Sequence, residues 1–405
     1  MKKQRVLALV DESLVPPDDP KGHDLAAAPW KMEFDVVHTL RAAGHEVLAV
    51  GVGSDLGVIR KAIHDFQPTI AFNLLEAFAE VATWDQNVVA YLELMGVPYT
   101  GCNSRGLVLA RDKSLTKKIL AYHRVPAPDF VVVPRGRAIR RPRRLRFPLI
   151  VKSLTLDASI GISQASVVED DARLEERVRF IHESIGTPAI VEEYVEGREL
   201  YVGLLGNQRL QVLPTWELDF SGLPEEARRI ATERLKWSMS YQKKHGIMTG
   251  AAKDLPEPLV RKIGGLCKRV SRSLMLSGYA RVDLRLADDG RLVVLEANPN
   301  PQLAYGEDFA EAAEKAGIDY GPLLERIMAL GLAWEPGYLG LGGVGGPGSS
   351  ARTSVMPPRH RSRPRDTRLQ DPAARPDPSG AIPPAGPRGA GDARPPCCPT
   401  GPPRL

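Results

Sequence analysis

Tyr279-Ala-Arg-Val-Asp-Leu-Arg-Leu-Ala-Asp-Asp-Gly-Arg-Leu-Val-Val-Leu-Glu-Ala-Asn298 is the stretch on which the reading of this chain turns. Two alternating runs flank Asp-Gly, a strong hairpin signal. With Asp289 and Gly290 as a two-residue loop, one face pairs Val282 with Ala297, Leu284 with Leu295 and Leu286 with Val293. That face is apolar and must meet a core. The other face pairs Arg281 with Asn298, Asp283 with Glu296 and Arg285 with Val294. Two carboxylates placed opposite each other, with Cβ atoms ~4.5–5.5 Å apart, repel unless something cationic lies between them. A divalent cation is the natural partner, because Mg²⁺ takes oxygen ligands and commonly binds one or two carboxylates plus substrate phosphates. Asn298 adds a neutral oxygen on the same face, and Arg281 is poised to hold an anion beside the metal. The competing reading is a solvated charge ladder in which Arg281 and Arg285 neutralise the two acids. The following Asn298-Pro-Asn-Pro301 weakens it, since a strand ending in polar and proline residues suits a cleft.

Working outward, the chain has 405 residues, 43% hydrophobic and 25% charged, as in ordinary globular proteins. No apolar run approaches the ~18–20 residues that span a bilayer. The opening run Val6–Val10 is cut off by Asp11-Glu12, too short for a secretory segment, and reads as a buried first strand. Four cysteines make no disulfide framework, and a reducing cytoplasm is expected. The net charge of +5 misleads: residues 336–405 hold ten Arg and four Asp without Lys or Glu, leaving −1 for the other 335 residues. Of those 70 residues 28 are Pro or Gly, so a disordered tail is expected. A nucleic-acid role would rest on that tail and on the Arg-rich stretch 135–146, which lack interleaved aromatics.

Before the tail, strand and helix signals alternate. Arg5–Val10, His45–Val50 and Pro68–Phe72 read as strands; Lys31–Ala43, Asp55–Phe66 and Asp85–Leu94 read as helices. That order implies a parallel sheet with helices on its faces. Further helices are expected over Asp112–Tyr122, Asp171–Ile185 and Leu259–Leu276, with strands at Phe130–Val133, Leu149–Lys152 and Ala189–Tyr194.

The hairpin, from Gly278 to Pro299, resembles the metal hairpin of the ATP-grasp superfamily, in its D-alanine–D-alanine ligase-like branch. Three further blocks fall in the same order: Leu94–Gly101 with Ala110–Lys117, Pro148–Lys152, and Ala189–Glu199. The resemblance covers about residues 1–332. It implies an α/β ATP-grasp fold: an N-terminal parallel α/β domain (1–110), a small ATP-grasp subdomain (111–200), a catalytic subdomain (201–335) and the tail (336–405). It implies ATP and Mg²⁺ or Mn²⁺ as cofactors, with Asp283, Glu296 and Asn298 as metal ligands. Arg281 would steady the reacting phosphoryl and carboxyl groups. Lys113 and Lys152 would contact ATP phosphates, Glu192 the adenine amine, Val195 the adenine edge through its backbone, and Glu199 the ribose.

The substrate side departs from the family pattern. The loop after Lys152 has a single glycine, with Ala158 in the place of a substrate-orienting serine; phosphate contact falls to the backbone of Ser159–Gly161. The family's early glycine-rich motif is not visible at Val10–Ser13. Glu76 is the chosen surviving acid, with Asn73 and Glu80 as other candidates, and a substrate-side lysine is expected at Lys243 or Lys244. The implied activity is ATP-dependent amide-bond formation through an acyl phosphate, with small amino-acid-like substrates and no membrane. Related ligases are often dimers, though these residues show no interface signal. The alternatives are a ligase for another amino acid, peptide or natural product, and a non-catalytic Mg-ATP-binding module.

Overall fold

The structure, a computed structural model, describes residues 2–156, 159–224 and 226–335, all within one compact unit, Met1–Leu339. Ala158 and the expected tail at 336–405 lie outside the described residues. The first third is the expected α/β alternation: β1 (Arg5–Asp11), α1 (Lys31–Ala42), β2 (Glu46–Val52), α2 (Gly57–Phe66), β3 (Ile70–Asn73) and α3 (Asp85–Met95). The three strands are parallel in the order β2-β1-β3. Val6 to Val10 of β1 are fully buried, as expected of a central strand covered on both faces. The chain leaves β1 toward β2 on one side and returns to β3 on the other. The β1/β3 crevice is therefore the topological switch point, where open α/β sheets hold ligands.

A helix that the pattern did not reveal, α4 (Ser104–Arg111), precedes α5 (Lys113–Tyr122). Asp112 separates them: its carboxylate accepts from the backbone N–H groups of Ser114 and Leu115 and so caps α5. An antiparallel sheet follows, ordered β4-β7-β5-β6, from β4 (Phe130–Val133), β5 (Leu149–Ser153), β6 (Val167–Val168) and β7 (Ala189–Glu193). Between β6 and β7 lies α6 (Asp171–Phe180), whose expected continuation to Ile185 is a π turn over Ile181–Ile185.

The second antiparallel sheet is ordered β10-β9-β8-β11-β12. It comprises β8 (Arg198–Leu205), β9 (Gln211–Asp219), β10 (Met248–Ala251), β11 (Tyr279–Leu286) and β12 (Leu292–Pro299). The helices of this part of the chain are α7 (Glu233–Trp237), α8 (Met239–His245), α9 (Glu257–Ser273), α10 (Asp308–Lys315) and α11 (Tyr320–Leu332), the last packed against α1 and β3. The apolar face of the hairpin, with Val282, Leu284, Val294 and Ala297, joins Ile263, Cys267 and Val270 of α9 in one buried cluster.

The hairpin register corrects the sequence reading in one half only. The loop has three residues, Asp288 to Gly290, closed by Ala287 N–H donating to Arg291 O at 2.9 Å. Gly290 takes φ +79°, which the last position of such a loop favours. Near the loop Leu284 therefore pairs with Val294, Arg285 with Val293 and Leu286 with Leu292, not with the expected partners. A β-bulge between Asp283 and Leu284 then takes up one residue, Leu295. Beyond it Asp283 faces Glu296 and Arg281 faces Asn298, as expected. Without the bulge every residue after Leu295 would change face, and Glu296 and Asn298 would turn into the core.

Candidate functional site

A cleft open to solvent lies between the two antiparallel sheets. Lys113, Lys152, Ser159, Glu192, Val195, Glu199, Asp283 and Glu296, all chosen from the sequence, line it. Arg281 and Asn298 are not among the lining residues but adjoin Asp283: the guanidinium of Arg281 grips it through two hydrogen bonds, Nε to Oδ1 at 2.7 Å and Nη2 to Oδ2 at 2.9 Å. The same guanidinium lies 4.6 Å over the Tyr201 ring. The amide nitrogen of Asn298 donates to Asp283 Oδ2 at 3.0 Å and Glu296 Oε1 at 3.4 Å, and so bridges the two acids. Burial pushes the Asp283 carboxyl up to about 6; Arg281 opposes that rise and Glu296 adds to it.

The solvated-ladder alternative does not hold. Asp283 and Arg285 are each 3% exposed. Arg285 does not serve Glu296: it pairs with Glu199 at 2.7 Å and donates to the carbonyls of Gly197 and Arg229. Glu199, expected at a ribose, also accepts from the Tyr201 hydroxyl at 2.9 Å, so both of its oxygens have protein partners. It forms part of the cleft wall as half of a buried ion pair.

The arrangement fits a divalent cation. Two opposed carboxylates, Asp283 buried and Glu296 half-buried, share one face with an amide that bridges them. Rotating the Asn298 amide would present its oxygen between them. Among the described residues no group of three or more His, Cys, Asp or Glu could hold a metal. A cation here relies on the two acids, the amide and phosphate oxygens, which suits Mg²⁺.

Along the same cleft two lysines contact one carboxylate and a third, Lys113, lies near it. Glu192 is 1% exposed, with Lys152 Nζ 3.3 Å from Oε2 and Lys117 Nζ 3.4 Å from Oε1. Burial alone would raise the Glu192 carboxyl; Lys117 and Lys152, with Lys113, hold it below the usual range. Lys113 donates to the Leu156 carbonyl at 2.8 Å. Lys113, Lys117 and Lys152 bring basic side chains to one part of the molecule, a setting that suits polyphosphate; burial lowers the Lys117 pKa, and Glu192 opposes that. The Glu192 side chain, expected on an adenine amine, lines the cleft and contacts Lys117 and Lys152. Gly161, expected to offer its N–H to phosphate, donates it to Glu233 Oε2 at 2.8 Å. Neither Lys243 nor Lys244 faces the cleft; both are exposed on α8. The lysine that lines it is Lys236 on α7, close enough to Asp283 to lower its pKa.

A third cluster lies at the switch point. Glu76 follows β3 and is exposed, and Asp11 ends β1. Between them sequence reasoning missed Glu33, in the first turn of α1, which is 2% exposed with no hydrogen-bond partner for Oε2. An acid in a first helical turn reads as ordinary dipole compensation; only tertiary burial distinguishes it. Burial pushes its carboxyl up to about 7; its own backbone N–H opposes this, and Glu76, Asp11 and Asp35 reinforce it. Asn73 serves the turn after β3, accepting from Leu75 N–H at 3.3 Å. The segment after β12 closes over α1, with Lys31 donating to the Tyr305 carbonyl at 2.7 Å and Tyr305 N–H donating to Asp35 at 2.9 Å.

Known proteins resemble much of this chain. A family model described as the D-ala D-ala ligase C-terminus matches residues 119–329. The uncharacterized protein y4sG of Sinorhizobium fredii is 33% identical over 315 residues, 74% of this chain and 88% of that one. A D-alanine–D-alanine ligase of Desulforudis audaxviator is 30% identical over 305 residues, 73% of this chain and 90% of that one. Among solved structures, the D-alanine–D-alanine ligase from Bacillus anthracis complexed with ATP matches with a TM-score of 0.63 at 21% identity, covering 82% of this chain and 98% of that one. The chain thus belongs to the D-alanine–D-alanine ligase family, ATP-grasp enzymes that join a carboxylate to an amine.

Proposed function

We propose that this ligase activates an amino-acid-like carboxylate with Mg-ATP and passes the acyl group to an amine, holding a substrate ammonium at Glu33, Asp11 and Glu76. The observation that carries the reading is the opposition of buried Asp283 to Glu296, with Arg281 and Asn298 on the same face. The donor carboxylate attacks the γ-phosphorus, its oxygen forms the new P–O bond, and ADP departs. The amine then attacks the acyl carbon, loses a proton, and inorganic phosphate leaves. Positioning and electrostatics carry both steps. Lys113 and Lys152 offset triphosphate charge, and Arg281 steadies the acyl phosphate and the tetrahedral oxyanion. Asp283, Glu296 and Asn298 would hold the cation, whose charge would supplement the lysines at the phosphate oxygens. The assignment divides the chain as the sequence suggests: a substrate-holding sheet within 1–110, a nucleotide-binding part within 111–200 and a metal-bearing part within 201–335. Buried free thiols at Cys102 and Cys267 suit a reducing cytoplasm.

The test is ADP release from Mg-ATP by the full chain against D- and L-amino acids, alone and in pairs, with Glu296→Gln as the metal-dead control. D-alanine comes first, because the Desulforudis relative is named for it. Release that needs an amine pair and vanishes in the control supports the ligase. A pair other than D-alanine keeps the chemistry and reassigns the substrate. Mg-ATP binding with no release on any pair would count against it.

A further inference from the structure

Lys117 stands where α5, β7 and β12 meet, and besides facing Glu192 it makes a second contact. It lies one turn after Lys113 on α5, 2% exposed. Its ammonium reaches Glu192 on β7 at 3.4 Å and donates to the backbone carbonyl of Leu295 at 3.2 Å. Leu295 is the residue taken up by the bulge in β12, so the antiparallel ladder offers it no opposite residue. The preceding Val294 N–H is also diverted, donating to Pro126 O at 2.8 Å. The bulge is thus held from outside the hairpin, by α5 and the segment that follows it. The register of Glu296 and Asn298 depends on that bulge.

We propose that Lys117 is a positioning residue for the metal hairpin: by holding the Leu295 carbonyl it fixes the bulge that brings Glu296 opposite Asp283. Through Glu192 the same ammonium ties that register to the strand beside the nucleotide. The proposal rests on Asp283 and Glu296 being the metal carboxylates.

Charge and geometry predict opposite signs, which makes the idea testable. Removing a positive charge near two carboxylates should by itself tighten binding of a cation. Loss of a group that orients the ligands should weaken it about tenfold or more. Mn²⁺ binding to the full chain in the presence of ADP would be followed by electron paramagnetic resonance, with circular dichroism as the folding check. Lys117→Met is expected to weaken Mn²⁺ binding, and the double variant Lys117→Met/Glu192→Leu to stay weak. Lys117→Gln, which keeps an N–H donor without the charge, is expected to recover part of the affinity; it carries the comparison if the Met variant fails to fold. Unchanged or tighter Mn²⁺ binding in folded Lys117→Met, or full recovery in the double variant, would overturn the proposal and leave Lys117 a counter-ion for Glu192. If Glu296→Gln binds Mn²⁺ like the unaltered chain, the metal assignment fails, and this inference with it.

Discussion

Glu33→Gln offers a quantitative test of the acidic crevice. In the unfolded chain this carboxyl ionises near 4.5; in the folded protein burial holds it protonated to about 7. Between those values the folded state binds more protons than the unfolded state, so stability falls as pH rises across that window. Each pH unit of difference is worth 1.36 kcal/mol, so by pH 8 the buried carboxylate costs about 3 kcal/mol. Glutamine has nearly the same shape and never ionises. The variant and the parent should match in stability at pH 4, and at pH 8 the variant should be the more stable by up to about 3 kcal/mol. Urea denaturation followed by tryptophan fluorescence from pH 4 to 8 would show it, and the difference between the two proteins cancels titrations they share. A difference independent of pH would refute the assignment of a costly buried acid. A substrate ammonium paired with Glu33 would relieve that cost, so saturating substrate should stabilise the parent more than the variant at pH 8.

Three further outcomes are expected. Arg281→Ala should raise the barrier to turnover by ~2.7–4 kcal/mol while ADP affinity, read by calorimetry, stays unchanged; undiminished turnover on the true substrates would remove the arginine from the chemistry. Arg285→Met leaves Glu199 buried with its charge uncompensated, a loss of about 3–5 kcal/mol in denaturant unfolding; a loss below about 1 kcal/mol would place the pair in the surface class. Gly278→Ala puts a Cβ 2.4 Å from the Gly101 carbonyl at φ +71°, where backbone must move. Thermal unfolding should show a loss of about 3 kcal/mol, and an unchanged midpoint would mean that the 101 and 278 segments can separate.

Much of the site could be read from the sequence because its carriers are local. Alternation places Arg281 with Asp283, and Glu296 with Asn298, on one face of each strand, and the bulge brings the two candidate pairs to the same face of the hairpin. Lys113 and Lys152 follow from ordered motifs on a helix start and a strand. What local pattern leaves open is set by distant residues. Glu192 and Glu199, expected at a nucleotide, line the cleft, and their carboxylates are held there by Lys117, Lys152 and Arg285, residues distant in sequence. Lys243 and Lys244 look equivalent to Lys236 in sequence, and only the fold of α7 and α8 turns Lys236 inward. Glu33 resembles any first-turn glutamate until the switch-point crevice buries it.

The sequence by itself determined the element order, the apolar and polar faces of the hairpin, and the family. These follow from periods of two and 3.6 residues and from short motifs within single elements. The tertiary structure alone decided the final register. A three-residue loop and a bulge at Leu295 each displace the pairing by one residue in opposite directions, so the site end of the hairpin comes out as read and the loop end does not. No local pattern marks that bulge, because the group that receives its carbonyl, Lys117, comes from a helix 178 residues earlier.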